Sequence, residues 1–174
     1  MNAKTSLPTQ IIRAAKADLP VVARLAAAIW PACYGNILPR GQIDYMLARM
    51  YSLNAMCREI RSQGIRYDLL LVYGGPSGFV SYGPTEKPGV TKLHKIYLLS
   101  ELHGRGLGSL LLHHVEREIR AGAGRRLILS VNKQNVRAIA AYKRNGFAVA
   151  ESVVTDIGGG FVMDDFIMAK DLAD

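Results

Sequence analysis

Three glycines at alternate positions, Gly104, Gly106 and Gly108, lie in the segment HGRGLG between the strand-like LHKIYLL and LLLHHVEREI, whose apolar residues recur at helical spacing. A strand, a glycine loop and a helix start in that order make a place to hold phosphate. Glycine lets backbone N–H groups turn inward without a Cβ in the way, and the helix start adds unpaired donors and the positive end of its dipole. Two other residues nearby can move protons. Tyr142 carries a phenol in NVRAIAAYKRNGF, and His94, on the strand before the loop, carries an imidazole whose natural pKa suits neutral pH.

Two common phosphate motifs do not fit the loop. A dinucleotide fingerprint needs a third glycine where this chain has Ser109, and a P-loop needs Gly-Lys followed by Ser or Thr. Between Lys92 and Arg144, eleven Lys or Arg accompany three acids, in a chain of formal charge +8. That concentration suits a polyanionic small ligand, a nucleic acid or a solvated basic face. No helix-turn-helix, zinc-finger or RNP pattern accompanies it, so nucleic acid is not the expected partner. His113 and His114 are adjacent on a helix and point apart, which favours surface positions over a metal pair. Cys33 and Cys57 lack metal-ligand spacing and read as reduced thiols without an assigned role.

The elements that must position these groups follow from period and punctuation. Gln10 to Ala14 reads as a short strand. Asp18 and Pro20 then start a helix carrying Leu19, Val22, Leu25, Ala26 and Ile29, which is expected to end near Trp30-Pro31. Ile43 to Met50 marks a second helix, and Ser52 caps a third that Gly64 stops. DLLLVY and GFVSY flank the GGPS turn as a hairpin, and Lys92 to Leu99 is the strand before the glycine loop. A helix from Leu107 to Gly122 or Gly124, a strand from Arg126 to Val131, a helix from Asn135 to Asn145, and a hairpin of Phe147–Thr155 with Phe161–Lys170 complete the chain. This order predicts an α/β (α+β) fold, with helices on both faces of a mixed, mainly antiparallel central sheet.

The strand-loop-helix of Leu93 to Ile119, the strand Leu127 to Val131 and the signature NxxAxxxYxxxGF over Asn135 to Phe147 together resemble the GNAT acyl-CoA N-acyltransferases. The resemblance implies acetyl-CoA, or another acyl-CoA, as donor. Its pyrophosphate would rest on the amides of Arg105, Gly106, Leu107, Gly108 and Ser109, with Gly104 shaping the turn. His103 stands where the family usually has Arg or Gln. By position, Leu98 would donate its N–H to the thioester carbonyl and Leu99 would lie beside the pantetheine arm. Asn135 and Ala138 share a helix face with Tyr142 at spacings of three and four, so Asn135 could hold the arm while the phenol protonates the departing thiolate.

The base is less determined. Members of the family often use a Glu on the strand before the loop, where this chain has Lys92. His94 is the alternative, expected by period two to share its face with Lys92, Ile96 and Leu98; a structural histidine is the competing reading. Trp30, Tyr34 and Tyr45 could clamp an amine or simply pack, and Asp164 and Asp165 could attract a cationic acceptor or be solvated strand ends.

At 174 residues the chain is read as one domain, residues 1–174. Its N-terminus lacks an apolar signal region and no apolar run reaches about 18 residues, so a soluble, cytoplasmic protein without membrane contact is expected. The reading is an acetyl-CoA-dependent N-acetyltransferase acting on a small-molecule or peptide amine in a ternary complex, without metal. A non-catalytic acyl-CoA-binding regulatory module is the alternative, and a homodimer is left open.

Overall fold

Aromatic packing, not proline, decides where the first helix ends. The computed structural model describes residues 7–172. After β1 (Thr9–Arg13), α1 runs from Leu19 to Tyr34 and passes through Pro31, beyond the expected stop. An interior proline costs about 3 kcal/mol. Here the Trp30 indole is buried, donates to the Tyr51 hydroxyl at 3.1 Å and lies 4.7 Å from the Tyr34 ring, so the turn after Pro31 is held by its contacts. The next helices, α2 (Arg40–Met50) and α3 (Leu53–Gln63), follow the expected pattern. Ser52 Oγ accepts from the Ala55 N–H at 3.3 Å, and Gly64 closes α3 at φ 64°.

The remaining elements are β2 (Arg66–Val72), β3 (Gly75–Pro84), β4 (Val90–Leu98), α4 (Leu107–Ala121), β5 (Arg126–Asn132), α5 (Val136–Arg144), β6 (Ala148–Gly158) and β7 (Phe161–Asp171). They form one seven-stranded sheet in the order β1-β2-β3-β4-β5-β7-β6. Every pairing is antiparallel except β4 with β5. Tyr67, Leu69 and Phe79 pack with α1, α2 and α3 on one face. Leu70, Leu127, Leu129 and Met168 pack with α4 and α5 on the other. Burial on both faces explains why β2, after the exposed Arg66 at its start, is an unbroken apolar run apart from one residue.

That residue is Asp68, buried beneath α4. Its carboxylate accepts from Arg13 Nε at 2.5 Å, the Tyr82 hydroxyl at 2.9 Å and His114 Nε2 at 2.8 Å, joining β1, β2, β3 and α4. His114 is therefore a largely buried partner of the sheet, not a surface residue, while His113 is exposed. The sequence spacing could not show that a carboxylate 46 positions away would reach it. Asp68→Ala leaves three donors without their acceptor, and we expect a loss of about 3–5 kcal/mol in urea unfolding.

Candidate active site

One extra residue in β4 opens the sheet. Ser81 of β3 pairs with Lys95 and Tyr82 pairs with Leu93, so His94 between them has no cross-strand partner. A bulge of this kind bends its strand and resets side-chain alternation. Leu93, Ile96 and Leu98 face the α4 core, whereas Tyr97 and Leu99 pack on the α1–α3 side. The expectation that His94 shares a face with Lys92, Ile96 and Leu98 therefore fails, because period two does not continue through the bulge. β4 pairs with β5 only from Val90 to Leu93, against Arg126 to Leu129. Past that point β5 stays paired with β7 through Asn132, while β4 leaves it, and a slit opens between the two.

Backbone groups of β4 line this slit. The Leu99 N–H donates to Ser77 O at 3.0 Å on the β3 side. Alternation along a strand then turns the N–H and C=O of Leu98 toward the slit. The Leu98 carbonyl accepts from His103 Nε2 at 3.1 Å, which fixes the proton on that nitrogen. His103 thus braces the strand edge with its side chain.

At the end of the slit the chain turns into α4. Gly104 and Gly106 take φ of 76° and 81°, with no atom within 4 Å of where a Cβ would stand. Gly106 is the N-cap of α4, and no side chain caps the helix and no acid occupies its first turn. The first intrahelical bond runs from the Leu110 N–H to Gly106 O, at 3.0 Å. The amides of Gly106, Leu107, Gly108 and Ser109 are the donors that a helix start leaves open. Open space above two glycines and an uncapped helix start fit a phosphate group.

Side chains from the two faces meet across the slit. Tyr142 on α5 is packed edge-on against Phe147, with ring centroids 5.8 Å apart. Burial raises its phenol pKa, and Tyr34 and Cys33 of α1, on the opposite side of the sheet, raise it further, so it is protonated at neutral pH. The Tyr34 and Tyr97 hydroxyls lie 3.1 Å apart. Among the described residues, three buried side-chain polar atoms have no hydrogen-bond partner: Ser81 Oγ, His94 Nε2 and Asp165 Oδ1. Burial together with Lys92 and Lys95 pushes the His94 pKa down to about 4, against the opposing pull of Glu59, so the ring is neutral at pH 7. Lys95 is itself buried and held by both oxygens of Glu59 at 2.9 and 2.7 Å and by the Tyr67 hydroxyl at 2.7 Å.

The acetyltransferase (GNAT) family profile matches residues 29–147, a span that includes the slit, the glycine loop and α5. The chain belongs to the GNAT acetyltransferase family. Curated relatives include a mycothiol acetyltransferase of Corynebacterium glutamicum, 36% identical over 89 residues, covering 50% of this chain and 30% of the relative. A 5-NmdU N-acetyltransferase of Pseudomonas phage PaMx11 is 47% identical over 60 residues, covering 34% of this chain and 41% of the relative. The matched part of this chain thus spans well under half the length of these curated relatives. The fold is that of the PaiA N-acetyltransferase of Thermoplasma acidophilum solved with coenzyme A: TM-score 0.81, 24% identity, 95% of this chain and 99% of the other. It is likewise that of the ribosomal-protein-S18-alanine N-acetyltransferase of Escherichia coli: TM-score 0.72, 20% identity, 96% of each chain.

GNAT acetyltransferases take acetyl-CoA as donor, and the loop and slit of this GNAT chain fit that molecule's pyrophosphate and its extended arm. Among the residues expected from sequence, Leu98 adjoins the glycine loop, its Cδ1 lying 3.9 Å from where a Cβ on Gly108 would stand, and Tyr142 packs against the same α4-side core. Asn135 proves to be the N-cap of α5, its side-chain oxygen accepting from the Ala138 N–H at 3.2 Å, and its side chain also meets the Cys33 thiol. Ala138 packs with the α4 core, and Leu99 packs against the α1–α3 side. Trp30 is core, and the Tyr45 hydroxyl donates to Ile157 O at 2.9 Å, so it fastens the β6–β7 turn. Cys33 and Tyr97 were not singled out by sequence. Their helical and strand positions are ordinary, and only the slit gives them a place beside Tyr142 and Tyr34.

Two outcomes test this geometry. Gly106→Ala adds a Cβ at a left-handed φ, at a folding cost of about 1 kcal/mol, and places it where the phosphate would approach. Calorimetric titration should show at least tenfold weaker CoA binding in a chain that still unfolds cooperatively. His94 is harder to protonate in the folded chain than in the unfolded one. Stability from this residue is therefore full above about pH 6.5 and falls by roughly 3 kcal/mol as pH drops toward 4. His94→Asn should lose less stability than the parent chain between pH 7 and pH 4.5 in urea titrations.

Proposed function

We propose that this chain transfers the acetyl group of acetyl-CoA directly to the amine of a small molecule or peptide, within a ternary complex. The observation that carries the reading is the slit between β4 and β5, which joins an open phosphate-binding helix start to a buried, protonated phenol. The arm of acetyl-CoA would lie along β4 as an added strand, pairing with the Leu98 backbone. A Leu98 N–H aimed at the thioester oxygen would stabilise the negative charge that develops there. The curated relatives, both acetyltransferases by name, support the reaction class.

The steps follow from charge. An alkyl amine has a pKa near 10, so it must first lose one proton to solvent to expose the attacking lone pair, and the nitrogen sheds a second as the C–N bond forms. Neutral His94, with a free buried nitrogen, would accept it as C–N bond formation makes that nitrogen acidic. Attack on the carbonyl carbon gives a tetrahedral oxyanion under the Leu98 N–H. When the C–S bond breaks, the Tyr142 phenol protonates the thiolate, and the phenolate recovers a proton from the protonated His94 or from solvent. The products are the acetylated amine and CoA.

Release of CoA from acetyl-CoA, measured across a panel of amines, tests the reaction. Tyr142→Phe should lower kcat by about 100-fold, within the usual range for losing a general acid, with the acetyl-CoA KM within about twofold. Undiminished turnover would remove Tyr142 from the chemistry. Tight acetyl-CoA binding without CoA release for any amine would instead identify an acyl-CoA-binding module. Because the His94 pKa is depressed to about 4, its loss of basicity places the acidic limb of the rate profile well below pH 6.5.

A further inference from the structure

The acceptor side of the slit holds a carboxylate that nothing in the fold uses. Asp165 lies on β7 opposite Asn132 of β5, where β5 borders the open part of the slit. The even positions Phe166 and Met168 face the α4 core and Met163 packs on the α1–α3 side, so Asp165 projects toward α1 and α2. Its Oδ1 is buried without a hydrogen-bond partner. Leaving a carboxylate oxygen in that state costs free energy, and its neighbour Asp164 raises the cost. Asp164 itself is paired with Lys133, so Asp165 does not receive that cation's full contact.

Three groups face the same space. Lys92 of β4 acts on both Asp165 and His94, and among the described residues it closes no ion pair with Asp165. Tyr34 of α1 is close enough for its phenol to be affected by Asp165. Two of the three orphaned polar atoms among the described residues, Asp165 Oδ1 and His94 Nε2, thus belong to side chains that feel the same ammonium, that of Lys92. An acceptor-only oxygen with a tyrosine nearby is suited to an alkylammonium, through a charge-assisted hydrogen bond to the oxygen.

We propose that Asp165 is the docking residue for the acceptor's ammonium group, and that the acceptors are aliphatic amines that arrive as cations. This rests on the acetyltransferase reading and specifies its substrate class. Asp165 binds the cation, and no bond changes at Asp165 itself.

The test is Asp165→Asn, assayed with n-butylamine and 1,4-diaminobutane as cations and with aniline, which is uncharged at neutral pH. The KM for the two cationic amines should rise at least tenfold, while the values for aniline and acetyl-CoA stay within twofold. The melting temperature should equal or exceed that of the parent chain, since an unpartnered buried charge has been removed. Equal losses for all three amines, or unchanged KM for the cationic ones, would overturn the proposal. If the parent chain acetylates none of them, the reaction reading fails separately. Calorimetric titration of 1,4-diaminobutane into the CoA-saturated protein then decides: binding lost in Asp165→Asn upholds the ammonium site, and no binding to the parent chain refutes it.

Discussion

A single unpaired residue in β4 governs the geometry of the site. Without His94 as an extra residue, β4 would continue its parallel pairing with β5 and the sheet would close. With it, the strands separate after Leu93, the Leu98 backbone groups lose a neighbouring strand, and an extended ligand can take that place. A sheet edge inside a folded protein exposes donors and acceptors that must be satisfied. His103 satisfies the Leu98 carbonyl, and the proposed acyl-CoA arm accounts for the adjacent N–H.

The bulge is held by heavier anchors on either side. On the α1–α3 side, the buried Lys95 ammonium is enclosed by Glu59 and Tyr67 and lies 5.5 Å from the Tyr51 ring centre, tying α3 to the residue after His94. On the other, Asp68 ties the first three strands to α4. Removing one member of either cluster leaves a buried charge unpaired, which is strongly destabilising. These clusters fix the sheet so that its opening is local.

The parts of the site that the sequence revealed are those built from contiguous residues. The glycine loop and the run from Asn135 to Phe147 are each short, and each places its backbone by local rules of turn and cap. Element order was equally readable, because burial on one or both faces leaves a periodic or continuous apolar pattern. The bulge was not, since one inserted position in LHKIYLL does not alter composition or hydropathy. The helix passes Pro31 for a related reason: the local penalty is outweighed by hydrogen bonds from Trp30 to Tyr51 and between Tyr34 and Tyr97, far along the chain. Asp165 could be read from sequence equally as an attractor of cations or as a solvated strand end, whereas Cys33 and Tyr97 gain their significance only from proximity.

Tyr34 and Cys33 of α1 both raise the pKa of the Tyr142 phenol, and α1 also carries the tyrosine placed near Asp165 in the proposed acceptor site. Mutational drift that reshapes α1 for a new acceptor therefore also changes the acidity of the proposed leaving-group acid. Divergence in what such a protein acetylates and in how fast it turns over cannot proceed independently. Paralogues adapting to new amines through Cys33 or Tyr34 would need compensating changes on α5, making these positions a correlated pair across the sheet.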